Sequence, residues 1–209
     1  MAGAVGRVGE ALLNRVLGSG DYAQVVALAE APMALGVRGL ALAAADALPA
    51  LDDAFVVLSD PGEPGSRSYY GRDAPFVQAH RENCLEIAHR AVAAGAQRLL
   101  MIVPTPAWQQ VGHFHRGLGN PTELAISQLP LAALVILRPA IESARPAGNL
   151  VARIAAVYVS LQMLMLPRSI EVLTSEKLAR CALAAMRGAR GGVQVIGADK
   201  MSSLLEEPE

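Results

Sequence analysis

Gly3, Gly6 and Gly9 recur at three-residue intervals and run straight into Glu10-Ala11-Leu12-Leu13-Asn14-Arg15-Val16-Leu17, an apolar-periodic helical segment. This spacing carries specific chemistry. The first glycines let the backbone turn sharply and approach a pyrophosphate. The third lets the helix pack closely on a sheet, and the helix N-terminus offers free N–H groups to an anion. Gly3, Gly6, Arg7, Val8 and Gly9 are therefore candidate cofactor-binding residues, with Arg7 either reaching a phosphate or simply solvated. The competing reading is a glycine-rich turn that holds no ligand. In a dinucleotide-binding sheet such a turn follows a buried parallel strand, yet only Met1 and Ala2 precede Gly3. The first strand is thus expected to be missing or truncated, with the true start upstream. A gap in a parallel sheet would otherwise leave two rows of buried backbone groups unpaired.

Downstream, apolar runs alternate with helical patterns. The first helix stops at Gly18-Ser19-Gly20, and residues 24–29 read as a continuous buried strand. Glu30 ends it, 30 − 9 = 21 positions beyond Gly9, where a ribose hydroxyl is usually gripped. Residues 39–42 read as a short strand and residues 53–58 as a buried one. The latter runs into the polar loop Ser59-Asp60-Pro61-Gly62, where Ser59 and Asp60 are candidates for touching a cofactor ribose or phosphate, or form an ordinary turn. A long helix is expected over 74–94, a strand over 98–103 stopped by Pro104-Thr105-Pro106, and a helix restarting at Thr122 as its cap. A strand over 134–139, a helix over 175–187 and a strand over 193–196 follow. The alternation predicts an α/β fold, a doubly wound, mostly parallel sheet. The 209 residues suit a single domain, with about 140–170 as a small cap on the substrate side.

A net charge of −1 gives no electrostatic case for nucleic acid or an anionic membrane. The apolar run 151–166 contains Arg153 and Gln162 and is short for a membrane span, so a buried or amphipathic helix is expected. With no secretory signal pattern at the N-terminus, a cytoplasmic location is expected, and Cys84 and Cys181 read as reduced core thiols.

The glycine triplet, the 53–58 strand with its polar loop, the turn Ala94-Gly95-Ala96-Gln97-Arg98-Leu99 and Leu137-Arg138-Pro139 occur in an order that resembles the atypical short-chain dehydrogenases, near the nucleoside-diphosphate-sugar-epimerase-like proteins and the Tat-interacting oxidoreductase group. The resemblance spans Gly3 to about Leu204. It implies a Rossmann fold binding NAD or NADP. Enzymes of that family use a tyrosine, a lysine four residues later and a strand-ending serine to pass a proton to or from the substrate oxygen. Counting back from Arg138-Pro139, the tyrosine position falls on His115 and the lysine position on Gly119, and the serine position falls at Val103-Pro104, with Thr105 the nearest hydroxyl. No Tyr-x-x-x-Lys occurs: the tyrosines are Tyr22, Tyr69, Tyr70 and Tyr158, and the lysines Lys177 and Lys200. The basic cluster that meets the 2′-phosphate of NADP is replaced by Ala29-Glu30-Ala31-Pro32, which favours NAD.

His115 and Thr105 are the candidate catalytic residues, and no metal site is expected from His113-x-His115. Trp108, Tyr69 and Tyr70 are placed at a pocket mouth or in plain packing. Three functions compete. The first is a dinucleotide-binding or regulatory protein that lacks Tyr/Lys catalysis. The second is an active NAD-dependent oxidoreductase or epimerase-like enzyme acting on an unknown small molecule with His115 as its acid. The third is a structural subunit whose apolar 151–166 face meets a protein partner or a second copy.

Overall fold

The computed structural model describes residues 1–30, 37–59, 76–106, 117–141 and 173–206. In chain order these form α1 (Gly6–Ser19), β1 (Val25–Leu28), β2 (Leu40–Ala43), β3 (Asp53–Val57), α2 (Cys84–Ala93), β4 (Arg98–Ile102), β5 (Thr105–Pro106), α3 (Pro121–Ser127), β6 (Ala133–Arg138), β7 (Ala140–Ile141), α4 (Ser175–Arg187), β8 (Gly192–Gly197) and α5 (Ala198–Glu206). Strands β3, β4, β6 and β8 make a four-stranded sheet in that order, β1 pairs with β2, and every pairing is parallel. The short β5–β7 pair extends the carboxyl ends of β4 and β6.

The two larger sheets are joined by Met1 and Ala2. Leu28 N donates to Met1 O at 2.8 Å on one side. On the other, Ala2 N donates to Phe55 O at 2.8 Å and Val57 N to Ala2 O at 3.0 Å. Strand order across the molecule is therefore β2-β1-(Met1–Ala2)-β3-β4-β6-β8, with Met1–Ala2 a two-residue stub between β1 and β3. That order, running outward both ways from the stub, is the doubly wound arrangement the alternating pattern predicts.

Burial on both faces explains why the strands read as unbroken apolar runs. In β3, β4 and β6 the side chains of Phe55, Val57, Leu100, Ile102, Val135 and Leu137 meet Leu12, Leu13 and Val16 of α1 and the apolar face of α4. Their neighbours Ala54, Val56, Leu99, Met101, Leu134 and Ile136 meet Cys84, Ile87, Ala88 and Ala91 of α2 and Ile126 of α3. Both cysteines are buried and free. Burial pushes the Cys181 thiol up to about 11 and raises that of Cys84, so neither is a ready thiolate.

Three local readings change. Helix α2 begins at Cys84, ten residues later than position 74, because residues 76–79 run extended across the strand ends. Asn83 then turns the chain: its Oδ1 accepts from His80 N at 2.7 Å and its Nδ2 donates to Gln78 O at 2.9 Å. The cap of α3 is Asn120, whose Oδ1 accepts from Thr122 N at 2.9 Å, and Pro121 fills the first helical turn where its missing N–H costs nothing. Helix α5, which no sequence signal marked, follows β8 without a break. The 151–166 run and most of the 140–170 cap fall outside the described residues. Among the described residues, no helix is long and apolar enough to cross a membrane.

Candidate functional site

The glycine turn sits where the stub ends. Gly3 has φ +72, and a Cβ there would lie 2.0 Å from Val57 O. A Cβ at Gly9 would lie 2.2 Å from Gly3 O and 3.0 Å from the Ala4 carbonyl carbon. Both positions thus demand glycine for backbone-on-backbone packing, which seats the first turn of α1 against the end of the stub. Gly6, also at positive φ (+72), opens the helix.

What this leaves exposed is the N-terminus of α1. Its N-cap is Val5, which makes no side-chain cap hydrogen bond, and its first turn holds no acid. Every other described helix carries a carboxylate in its first turn: Glu86 in α2, Glu123 in α3, Glu176 in α4 and Asp199 in α5. Alone among the described helices, α1 has no carboxylate in its first turn, which holds the exposed Arg7. Such an end has a positive partial charge and donors aimed outward.

Residues 76–79 form a strap over three neighbouring strand ends. Val77 N donates to Leu28 O at 3.0 Å, Gly3 N to Val77 O at 3.1 Å, and Ser59 N to Ala79 O at 2.9 Å. Ala29 bridges Phe76 and Leu58 bridges Ala79. Through this strap the fold ties Gly3, Ser59 and Ala29, the residue before Glu30, to one extended segment. Ser59 follows the end of β3 and is half-buried, while Glu30 stands exposed just past β1. Gly6, Arg7, Val8 and Gly9 line the adjoining helix turn.

Thr105 lies apart from these residues, at the start of β5. It is buried, its Oγ1 donates to Val103 O at 2.9 Å and its N donates to Pro139 O at 3.1 Å. Asp60 and His115, with His113, Trp108, Tyr69 and Tyr70, lie outside the described residues. Among the described residues no group of three His, Cys, Asp or Glu side chains is placed to hold a metal.

Sequence reasoning missed one feature here. Arg138, at the end of β6, donates from an Nη to Glu123 Oε2 at 2.5 Å, both side chains 7 % exposed. The same carboxylate oxygen accepts from Gly119 N at 3.2 Å. The pair ties the carboxyl end of β6 to the first turn of α3 and to the turn before it. The available signal was an arginine closing an otherwise apolar strand, with an acid at the third position of the next helix upstream. Compared with known proteins, the chain matches no protein-family model and no curated protein.

Proposed function

We propose that the protein binds a dinucleotide, NAD in preference to NADP, and acts as a dinucleotide-binding or regulatory protein of the atypical short-chain dehydrogenase type without Tyr/Lys proton transfer. The observation that carries this reading is the open end of α1, uncapped and free of acid where the other described helices each have a carboxylate. A pyrophosphate would accept from the N–H groups of Gly6, Arg7 and Val8, with the Arg7 guanidinium beside it. Glu30, one residue past the bridge made by Ala29, would accept from ribose hydroxyls and repel a 2′-phosphate. The half-buried Ser59 would border the same ligand from the end of β3.

That this reading assigns no Tyr/Lys proton transfer rests on side chains. Tyr22, the tyrosine among the described residues, lies at the opposite end of the sheet. Its hydroxyl donates to Asp53 Oδ2 at 2.8 Å, and burial together with that carboxylate raises its pKa. It packs at the amino end of β3, whereas Gly3 meets Val57 at the carboxyl end.

Isothermal titration of NADH and NADPH into the folded protein tests the reading. NADH is expected to bind more tightly than NADPH, and Glu30→Arg is expected to reverse that order. No heat from either ligand with the folded protein overturns dinucleotide binding. An unchanged preference in Glu30→Arg overturns the role of Glu30.

A further inference from the structure

Asn83 stands at the N-cap of α2 but does not cap it. Asparagine is among the strongest N-cap residues, yet here the backbone is helical (φ −103°, ψ −8°) and the side chain makes no capping bond. The residue is half-buried, and its carboxamide turns back onto the strap. Oδ1 accepts from His80 N at 2.7 Å and Nδ2 donates to Gln78 O at 2.9 Å.

The two edges of the strap are therefore used differently. Val77 and Ala79 face the strand ends: Val77 N donates to Leu28 O, while Val77 O and Ala79 O accept from Gly3 N and Ser59 N. Gln78 O and His80 N leave from the opposite edge, where a parallel neighbour would offer the N–H and C=O of one residue. The Asn83 carboxamide carries a donor and an acceptor on one carbon and supplies both. The ends of the strap are sunk in opposite faces of the core, Phe76 with Leu12, Leu13 and Val16 of α1 and Ala79 with Cys84 and Ile87 of α2.

From the strap, contacts run on to α1. Val77 O holds Gly3 N at 3.1 Å, Gly3 O is the atom a Cβ at Gly9 would strike, and Gly9 closes the first turn of α1. Backbone packed this closely has no slack to absorb a displacement, so a shift of the strap becomes a shift of the turn.

We infer that Asn83 is a positioning residue for the ligand site: its carboxamide fixes the strap, and the strap fixes the glycine turn that meets the pyrophosphate. This role rests on the dinucleotide reading above, and Asn83 plays it through backbone atoms alone. Asn83→Asp separates it from helix capping. Aspartate caps as well as asparagine, but its carboxylate accepts from His80 N and cannot donate to Gln78 O.

Amide hydrogen exchange and NADH titration, on the unsubstituted protein, Asn83→Ala and Asn83→Asp, test the two steps in turn. Exchange at Gly3 and Ser59 should be about tenfold faster in Asn83→Ala, the size of one hydrogen bond lost, with the β4 amides unchanged. Faster exchange at His80 alone would mean that the carboxamide closes only a local turn, and would overturn the inference. NADH should bind about tenfold more weakly to Asn83→Ala and about threefold more weakly to Asn83→Asp, which keeps one of the two bonds. Tyr22→Phe, at the amino end of β3, should lower the melting temperature without changing affinity. Should Asn83→Ala fail to fold, Asn83→Asp carries both comparisons. Unchanged affinity in the folded variants overturns the positioning role even where exchange rises. No heat from the unsubstituted protein is a different failure: it overturns dinucleotide binding, and exchange at Gly3 and Ser59 then decides alone whether Asn83 sets the turn.

Discussion

A chain made to end in a free Met1 amine should lose stability as the pH falls from about 8 to about 5. The nitrogen titrates at about 5 when folded and at 8.0 in its ordinary state, because burial disfavours the charged form. Between those values the unfolded chain binds a proton that the folded chain does not, so acid favours unfolding. Above pH 8 both states carry a neutral amine and the effect vanishes; below pH 5 both are protonated and the penalty is constant. With about 1.36 kcal/mol per pKa unit, the penalty is about 1.4 kcal/mol at pH 7 and approaches about 4 kcal/mol below pH 5.

The control is the same protein with a short extension ending in valine before Met1. There the Met1 nitrogen is an amide and the new ammonium lies beyond the ladder. Every other titrating group is common to the two proteins, so the difference between their melting temperatures isolates the buried amine. For a chain of this size about 1 kcal/mol corresponds to roughly 2–4 °C, so the gap should widen by about 6–13 °C between pH 8 and pH 5. Melting curves followed by circular dichroism at pH 8, 7, 6 and 5 give the measurement. A gap that stays constant across those pH values would refute the reasoning, since it would mean the amine is hydrated in the folded state.

Three further outcomes follow from the geometry. Gly9→Ala places a methyl 2.2 Å from Gly3 O, a backbone atom that cannot swing aside, and should cost about 1–3 kcal/mol in urea unfolding while weakening NADH binding, whereas Gly18→Ala, with nothing within 4 Å, should leave NADH binding unchanged. Removing one partner of the buried Arg138–Glu123 pair, as in Glu123→Ala, should cost about 3–5 kcal/mol, and Arg138→Met combined with Glu123→Leu should cost less than the sum of the single changes; additivity in that cycle would mean the pair is not coupled. Tyr22→Phe removes one hydrogen bond to a carboxylate that Arg98 still holds at 2.6 Å through two donors, so its cost should sit at the low end of about 1.5–3 kcal/mol, and a larger loss would show that the hydroxyl carries more than this bond.

What the sequence disclosed and what it withheld divide along range of interaction. The strands over 98–102 and 133–138 were legible because burial on both faces removes the polar alternation and leaves a plain apolar run. Helix α4 was legible to the residue at both ends because Thr174 caps it locally, accepting from Lys177 N, and Gly188 follows its last turn. The glycine spacing was legible as residue type alone, and Gly9 answers to Gly3 O within seven residues, although Gly3 itself answers to the distant Val57 O. Residues 76–79 were misread as helix because their fate depends on partners far away, Leu28, Gly3 and Ser59, which offer the strap its hydrogen bonds. Thr122 looked like a cap because threonine caps well, yet Asn120 one step before Pro121 has the shorter reach to the Thr122 N–H. The Arg138–Glu123 pair joins positions fifteen apart that only the fold brings together.

The stub makes the same point about the site. Two residues have no periodicity, so nothing in Met1-Ala2 declares a strand, yet four of their backbone bonds join the β1–β2 pair to the four-stranded sheet. The glycine turn takes its position from that join: Gly3 is pressed on Val57 O because Ala2 is laddered to Phe55 and Val57, and Gly9 is pressed on Gly3 O in turn. The first turn of α1 is therefore held in place by a ladder whose first rung is the Met1 nitrogen. Chemistry at that nitrogen and affinity at the helix end should move together: replacing the buried Met1 amine by an amide should tighten NADH binding as well as raise the melting temperature. Titration of NADH into the free-amine and extended proteins at pH 6 reads this directly. Equal affinities would show that the turn is held by its glycine packing alone and that the first strand contributes only to stability.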